Sequence, residues 1–250
     1  MTAALLVETL KLRHSVVGII ATLAIVGGTI ALLGGLTAAL TGGNPEVIAK
    51  AGPGASLDWA GLLSLATQIT SAGGLLGFGV ILSWMFAREF TDGSITGLFA
   101  LPVSRGRIAM AKFIVYAMWV TVVTVTLTGC VLALGLVLGY GIPGDDAWAG
   151  IGRQLVLVVL TGAVAAPAAW VASVSRSMLA GVGCAIGLVV IAQVSVLAGA
   201  GAWMPLAAPA LWAISQGAAA TVGQLLLSLA LALVFVALTC ATWVRLQMNR

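Results

Sequence analysis

Charged residues are scarce in this chain. Its 11 Lys and Arg and 7 Asp and Glu make up only 7% of 250 residues, and 61% of the residues are hydrophobic. Soluble domains carry about 25% charged residues, so this chain has too few charges to cover a water-exposed surface. With a mean hydropathy of +1.18, the sequence predicts an all-α integral membrane protein.

Catalytic and metal-binding motifs are also lacking. The sequence contains neither a G-x-x-x-x-G-K-[ST] phosphate loop nor an H-E-x-x-H motif, and His14 is its only histidine. Cys130, Cys184 and Cys240 stand alone in apolar stretches, without disulfide or metal-ligand spacing. We therefore predict no catalytic residues, no metal site and no enzymatic activity. The basic residues are scattered over predicted helix ends, which excludes a nucleic-acid-binding surface.

Windows free of Lys, Arg, Asp and Glu locate the membrane helices, since about 20 apolar residues cross a bilayer. The longest window, 177–244, is too long for one span, and Gly and Pro residues at 199–209 interrupt it. The predicted spans are 16–40, 59–87, 112–140, 151–174, 178–199 and 220–244. The windows hold no ionisable group that could act as an ion relay, so transport by this chain would need an external energy source.

The distribution of Lys and Arg predicts that both termini are cytoplasmic, because cytoplasmic loops carry the excess of these residues. Nine lie on one side, and only Lys50 and Arg153 lie on the other. Residues 1–15 are predicted to form an interfacial helix, with Leu6 and Leu10 toward lipid and Glu8 and Lys11 on the other side; an ordinary charged flank of the first span is the alternative. The Trp- and Pro-containing stretch before the last span predicts a short outer re-entrant hairpin, or a helix lying on that leaflet.

The connection after the second span, residues 88–106, is the most informative segment. Residues 87–112 hold six of the 18 charges. Asp92 is suited to cap a short helix, and Ser104 is suited to cap the next one. An apolar stripe with helical spacing would lie on the short helix, formed by Ile95, Leu98, Phe99 and Pro102. Such a stripe favours docking in a groove of a partner protein, or contact with the inner leaflet.

The residues Glu89, Gly93, Leu98, Leu101–Pro102, Ser104–Arg105 and Lys112 resemble the signature of the type-2 ATP-binding-cassette permeases, a family that includes bacitracin-type and lantibiotic-immunity exporters. The six-span layout is similar as well. The resemblance implies a multi-pass protein of the bacterial plasma membrane in which 88–106 is a coupling segment. By the same resemblance, the residues that contact a cytoplasmic ATPase would be Arg88, Glu89, Asp92, Gly93, Ile95, Leu98, Phe99, Pro102 and Arg105.

The resemblance also implies the partners: two copies of the ATPase, a second permease protomer that is identical or homologous, and membrane lipid. ATP and Mg²⁺ would bind to the ATPase, and this chain would hold no cofactor. We therefore predict a single transmembrane domain, 1–250, that exports an amphipathic or hydrophobic cargo such as an antibiotic, a peptide or a lipid-like molecule. The alternative is a membrane anchor or sensor subunit that transmits ATPase motion without transport.

Small and polar residues within the spans are weaker candidates. Gly73 and Gly77 have a spacing that favours close helix contact, either with a second protomer or within the chain. The uncharged polar residues of the second and fifth spans could line a cargo path or form interhelical hydrogen bonds; they are Ser64, Thr67, Gln68 and Gln193. Pro167 is predicted to kink the fourth span.

Overall fold

The computed structural model describes residues 2–43, 56–95, 97 and 104–246, and within these ranges every regular element is a helix. In this described part of the chain, six helical segments are long and apolar enough to cross a bilayer, and we number them spans 1 to 6: Val16–Thr41, Trp59–Thr91, Arg105–Val137, Asp145–Ser175, Met178–Leu197 and Val222–Arg245. An N-terminal helix, Thr2–Arg13, precedes them. The predicted all-helical, six-span fold is confirmed, whereas the cytoplasmic location of the termini stays a prediction.

Four spans extend beyond the charge-free windows that predicted them. Span 2 continues to Thr91, span 3 begins at Arg105, span 4 begins at Asp145, and span 6 ends at Arg245. A helix can continue past the apolar run because long charged side chains at its ends reach the interface or pair with one another. As a consequence, Glu89 and Lys112 lie on membrane helices and not in a loop.

Two spans depart from a regular α-helix. Span 2 consists of Trp59–Ile69, a π-helical turn at Thr70–Gly74, and Leu75–Thr91. Span 4 breaks into Asp145–Val164 and Pro167–Ser175. Proline has no backbone N–H and is tolerated in the first turn of a helix, so Pro167 begins the second half. The predicted interruption at Pro167 is confirmed.

The stretch before span 6 contains a 3₁₀ turn, Gly201–Trp203, and a short helix, Ala208–Ile214. The hydroxyl of Ser228 donates to the carbonyl of Pro205 at 2.7 Å, which fastens this stretch to span 6. The short helix was predicted; its position relative to the membrane stays a prediction.

Spans 2 and 4 are the most buried, and span 5 packs against both. Span 5 lies close to span 2 because glycines face small residues. A Cβ atom at Gly79 would lie 2.4 Å from the Cβ of Ala185, and one at Gly181 would lie 2.5 Å from the hydroxyl of Ser83. Glycine is therefore required for this close approach of the two helices.

We expect Gly79→Ala to destabilise the protein by about 1–3 kcal/mol, because the added methyl group overfills a packed contact. Thermal unfolding in mild detergent measures the effect. Gly183→Ala is the matched control, since a Cβ there meets nothing within 4 Å. Equal stability of the two variants would contradict the packing described here.

Candidate functional site

Two acidic and two basic residues form a buried cluster where the N-terminal helix meets spans 2 and 3. The ammonium of Lys112 lies 2.8 Å from Glu8 Oε2 and 2.9 Å from Glu89 Oε1. The ammonium of Lys11 lies 2.8 Å from Glu89 Oε1 and 3.1 Å from Glu8 Oε1. Each lysine thus bridges both carboxylates. We call Glu8, Lys11, Glu89 and Lys112 the charge cluster.

Three of the four charged side chains in the cluster are buried, so each needs a partner of opposite charge. Glu89 and Lys112 are each 1% exposed and Glu8 is 4% exposed. An unpaired charge in such an environment would cost several kcal/mol. Two negative and two positive groups in mutual contact cancel, so the cluster can persist in a low-dielectric region.

The N-terminal helix contributes half of the cluster because Glu8 and Lys11 are three residues apart and share a face. Leu6, Val7 and Leu10 are exposed, in agreement with the predicted apolar face. Glu8 lies on the face away from Leu6 and Leu10, as predicted, and that face packs against spans 2 and 3. The reason is that Lys112 supplies a buried countercharge, which a helix considered alone does not reveal.

The two carboxylates also affect the titration of Lys11, which lies outside the spans. Partial burial tends to lower the pKa of Lys11, but hydrogen bonds and charge attraction from Glu89 and Glu8 outweigh burial and raise this pKa above its usual value. A raised pKa means that Lys11 stabilises the fold below its unfolded pKa, and that this contribution is lost only as pH rises through the folded pKa.

The end of span 6 closes the cluster from another side. Trp243 is fully buried, and the ammonium of Lys112 lies 5.7 Å from its ring centroid, within the range of a cation–π contact. The indole N–H of Trp243 donates to the hydroxyl of Ser173 in span 4 at 2.9 Å. The guanidinium of Arg105 donates to the carbonyl of Leu246, just beyond span 6. The ends of spans 2, 3, 4 and 6 that lie beside the charge cluster are therefore connected through these contacts.

The segment after span 2 begins in contact with the charge cluster. Asp92 was expected to cap the following helix, but it ends the preceding one: its backbone N–H donates to the carbonyl of Arg88. Gly93, with φ of 66°, provides the left-handed residue that commonly follows a helix end. The hydroxyl of Ser94 then donates to Glu89 Oε2 at 2.8 Å, and Ile95 is buried.

The predicted ATPase-contacting residues therefore occupy different environments. Glu89 is engaged inside the chain, while Arg88 pairs with the exposed Asp92 at 3.2 Å. Ser104 occupies the N-cap position of span 3, as predicted, but its side chain makes no capping hydrogen bond to the first turn of this span. Three predicted residues lie outside the described ranges: Leu98, Phe99 and Pro102. Contact with an ATPase stays a prediction for the whole set.

Two of the predicted cargo-path residues, Ser64 and Thr67, line a cleft of about 720 Å³ at the opposite end of the protein. The first turns of spans 2 and 4 and the Ala208–Ile214 helix form its walls. The lining mixes apolar side chains with charged ones: Trp59, Leu63, Asp58, Asp145, Asp146 and Arg153. Hydrogen bonds from Ser56 and the N–H of Gly61 lower the pKa of Asp58, so it is ionised at neutral pH.

Gln68 and Gln193 do not line this cleft. Both are exposed, on spans 2 and 5. The Gln68 amide lies 3.5 Å from Ser64 in its own helix. Within the described part of the chain, neither glutamine forms a hydrogen bond between helices, so the interhelical alternative finds no support.

A buried polar contact that the sequence did not reveal joins spans 2 and 4. The amide of Gln154, 1% exposed, donates to the hydroxyl of Thr70 at 2.9 Å, and its Oε1 lies 3.3 Å from the hydroxyl of Thr67. Thr70 begins the π-helical turn. Gln154 carries the same signal that singled out Gln68, an amide within an apolar run.

The two candidate glycines also differ. A Cβ at Gly77 would lie 2.7 Å from Ile25 in span 1, so this glycine is already used for packing within the chain. A Cβ at Gly73 would meet nothing within 4 Å. A contact of either with a second protomer stays a prediction.

We expect Lys112→Met to destabilise the protein by about 3–5 kcal/mol, because it leaves two buried carboxylates with one lysine. Adding Glu89→Gln should restore part of the loss, since it removes the surplus negative charge. Thermal and denaturant unfolding of both variants in mild detergent measures this coupling.

Arg107→Gln is the control for Lys112→Met, because Arg107 is an exposed cation on the same helix and should change stability by no more than about 0.5 kcal/mol. If Lys112→Met is as stable as this control, the cluster does not stabilise the fold.

The sequence comparisons agree with this architecture. A family model described as ABC-2 family transporter protein matches residues 4–194, which include all four residues of the charge cluster. No curated protein matches the chain in sequence. Members of this family are membrane subunits that generally work with a cytoplasmic ATP-binding-cassette ATPase and are not themselves ATPases. Because the match covers about three quarters of the 250 residues, the chain belongs to the ABC-2 family of transporter membrane proteins.

Proposed function

We propose that this chain is the transmembrane subunit of an ATP-driven exporter in a bacterial plasma membrane. A separate ATPase would dock on segment 88–106 and provide the energy. The observation that best supports this proposal is the charge cluster, because it joins the start of that segment to the N-terminal helix and to span 3. A force applied to the segment would therefore reach several spans at once.

The transmission route follows from the contacts. Ser94, at the start of the segment, is bonded to Glu89, and Glu89 is bonded to Lys11 and Lys112. Buried charges cannot separate without exposing an unpaired group. The N-terminal helix and the near ends of spans 2 and 3 would therefore move with the segment as one unit. In this proposal Glu89 acts as a positioning residue, through its bonds to Ser94, Lys11 and Lys112.

The cleft lined by Ser64 and Thr67, at the end of the protein opposite the charge cluster, supports an amphipathic or hydrophobic cargo. Trp59 and Leu63 offer apolar surface, while Ser64 and Thr67 offer hydroxyl groups. Span 2 reaches from this cleft to the charge cluster, so one helix joins the proposed cargo end to the proposed ATPase end. Its π-helical turn lies between them, at a position where helices often change shape.

Gln68 and Gln193 support a second protomer. Gly79 faces Ala185 across spans 2 and 5. Because the two spans are antiparallel, Ser71, eight residues before Gly79, lies at about the same depth as Gln193, eight residues after Ala185. Gln68 lies within one turn of Ser71, so the two exposed amides are at about the same depth. Gln68 reaches only Ser64 of its own helix, at 3.5 Å, and Gln193 has no hydrogen-bond partner among the residues that the structure describes. Amide groups left unbonded in hydrocarbon cost several kcal/mol. We propose that a second copy or a homologous permease covers these amides, or that they border a cargo path between the copies.

The coupling proposal is tested by reconstituting the chain in proteoliposomes with candidate ATP-binding-cassette ATPases, sought first in the open reading frames beside its gene. Phe99→Ala should weaken ATPase retention during copurification, because it removes the largest side chain of the predicted docking stripe. Glu89→Gln should retain the ATPase but lower cargo-stimulated hydrolysis about tenfold, within the range of coupling energies of 1–3 kcal/mol. Vectorial cargo movement distinguishes an exporter from a subunit that only transmits motion.

Leu179→Ala is the control for Phe99→Ala, since Leu179 is an exposed apolar residue at the start of span 5. If Phe99→Ala and Leu179→Ala retain the ATPase equally, segment 88–106 is not the docking site. If ATP hydrolysis moves no cargo of the proposed class, the export function is wrong.

The second protomer is tested by cross-linking after Cys130, Cys184 and Cys240 are replaced by Ala. Gln193→Cys should give a dimer with a short bismaleimide in membranes. Ile191→Cys, at the same depth but about 200° around the helix, is also exposed and should give none. Equal cross-linking at the two positions, or none at Gln193→Cys, would contradict the proposed interface.

A further inference from the structure

An apolar groove of about 580 Å³ lies between the N-terminal helix and spans 1 and 3. Its walls are almost entirely hydrocarbon, from Leu12 on the N-terminal helix, Ile19 and Leu23 on span 1, and Met118 and Val122 on span 3. The lining residues run from 18 to 23 on span 1 and from 115 to 122 on span 3. At 1.5 Å per residue, the groove is about 10 Å long and follows the direction of the spans.

The groove has a rigid wall. The indole N–H of Trp119 donates to the hydroxyl of Thr22 at 3.0 Å, which holds spans 1 and 3 at this separation. The ring of Trp119 also packs edge-on against Phe78 of span 2, with 5.7 Å between ring centroids. The groove is therefore fixed by contacts among three spans, and its volume lies within the range of small-molecule sites.

A cation lies at one end of this apolar groove. Arg13, the last residue of the N-terminal helix, lines the groove, is exposed, and has no ion-pair partner among the residues that the structure describes. Span 1 begins three residues later, at Val16. The first backbone N–H groups of a helix carry partial positive charge; at span 1 the Ser15 hydroxyl already accepts from the N–H of Gly18, so Arg13 is the main cationic group at this end of the groove. The end of the groove is therefore suited to an anion, and the remainder to a hydrocarbon chain.

We propose that this groove binds an anionic phospholipid of the adjacent leaflet, with its phosphate on Arg13 and one acyl chain between spans 1 and 3. A guanidinium matches two phosphate oxygens at once, while the apolar walls replace lipid contacts of the chain. This lipid would hold the N-terminal helix, and with it Glu8 and Lys11, in register with span 3. The proposal does not depend on the ATPase or on the cargo.

Trp119 provides the test, because it lines the groove and its fluorescence is quenched by a bromine atom nearby. The full chain is placed in bilayers of phosphatidylcholine that contain a small fraction of either phosphatidylglycerol or phosphatidylcholine with brominated acyl chains. The difference between the wild-type chain and Trp119→Phe isolates the signal of this residue. Brominated phosphatidylglycerol should reach half-maximal quenching at about fivefold lower mole fraction, since one arginine near the surface contributes about 1 kcal/mol.

Two variants and two matched controls locate the site. Arg13→Gln should abolish the preference for phosphatidylglycerol, whereas Arg107→Gln, which removes an exposed cation outside the groove lining, should keep it. Val122→Phe should fill the groove and lower quenching by both lipids, whereas Val125→Phe, at an exposed position on span 3 outside the lining, should not.

Equal quenching by the two lipids in the wild-type chain would overturn the proposal. So would an equal loss of preference in Arg13→Gln and Arg107→Gln, which would indicate surface charge alone. Unchanged quenching in Val122→Phe would show that no acyl chain enters the groove.

Discussion

The constraint on which this structure depends is charge neutrality within a buried region. Glu8 and Glu89 can be removed from water only because Lys11 and Lys112 accompany them, and three of the four ion pairs join different parts of the chain. A buried ion cluster of this kind contributes little net stability compared with apolar packing, but losing one member is costly. It therefore fixes the relative positions of the elements that carry its members more than it strengthens the fold.

That constraint explains the unusual orientation of the N-terminal helix. A separate amphipathic helix beside a bilayer would turn its charges to water and its leucines to lipid. Here Leu6 and Leu10 are exposed, as in such a helix, but Glu8 is buried. The segment after span 2 begins at the same cluster, through Ser94 and Glu89. The start of segment 88–106, where an ATPase is proposed to dock, is therefore held by the charge cluster, in which breaking one ion pair leaves another buried charge unpaired.

The bilayer imposes a similar requirement on uncharged polar groups within the spans. Many hydroxyls satisfy it locally by donating to the carbonyl four residues earlier, as Thr29 and Ser83 do. Gln154 is too large for that solution and bonds to Thr70 across the helix interface. Among the described residues, Gln68 reaches only the hydroxyl of Ser64 in its own helix, at 3.5 Å, and Gln193 bonds to no other span. Because both side chains are exposed, they indicate a surface covered by something other than lipid. Uncharged polar residues in a span therefore carry different information depending on whether they find a partner in the same chain.

The sequence by itself determined the fold class, the number of spans, the interruption at Pro167 and the family, because apolar length, proline chemistry and a local motif are all properties of neighbouring residues. It also drew attention to residues 88–106, since charges there stand out against apolar spans. Only the tertiary structure decided that Glu89 is buried, that Lys112 bridges it to Glu8, and that Asp92 ends span 2. It also decided that Gln154 bonds to another span while Gln68 reaches only Ser64 of its own helix. These properties depend on which distant residues meet. Glu8 and Lys112 are 104 positions apart, and no pattern within one helix specifies the countercharge that it will find on another.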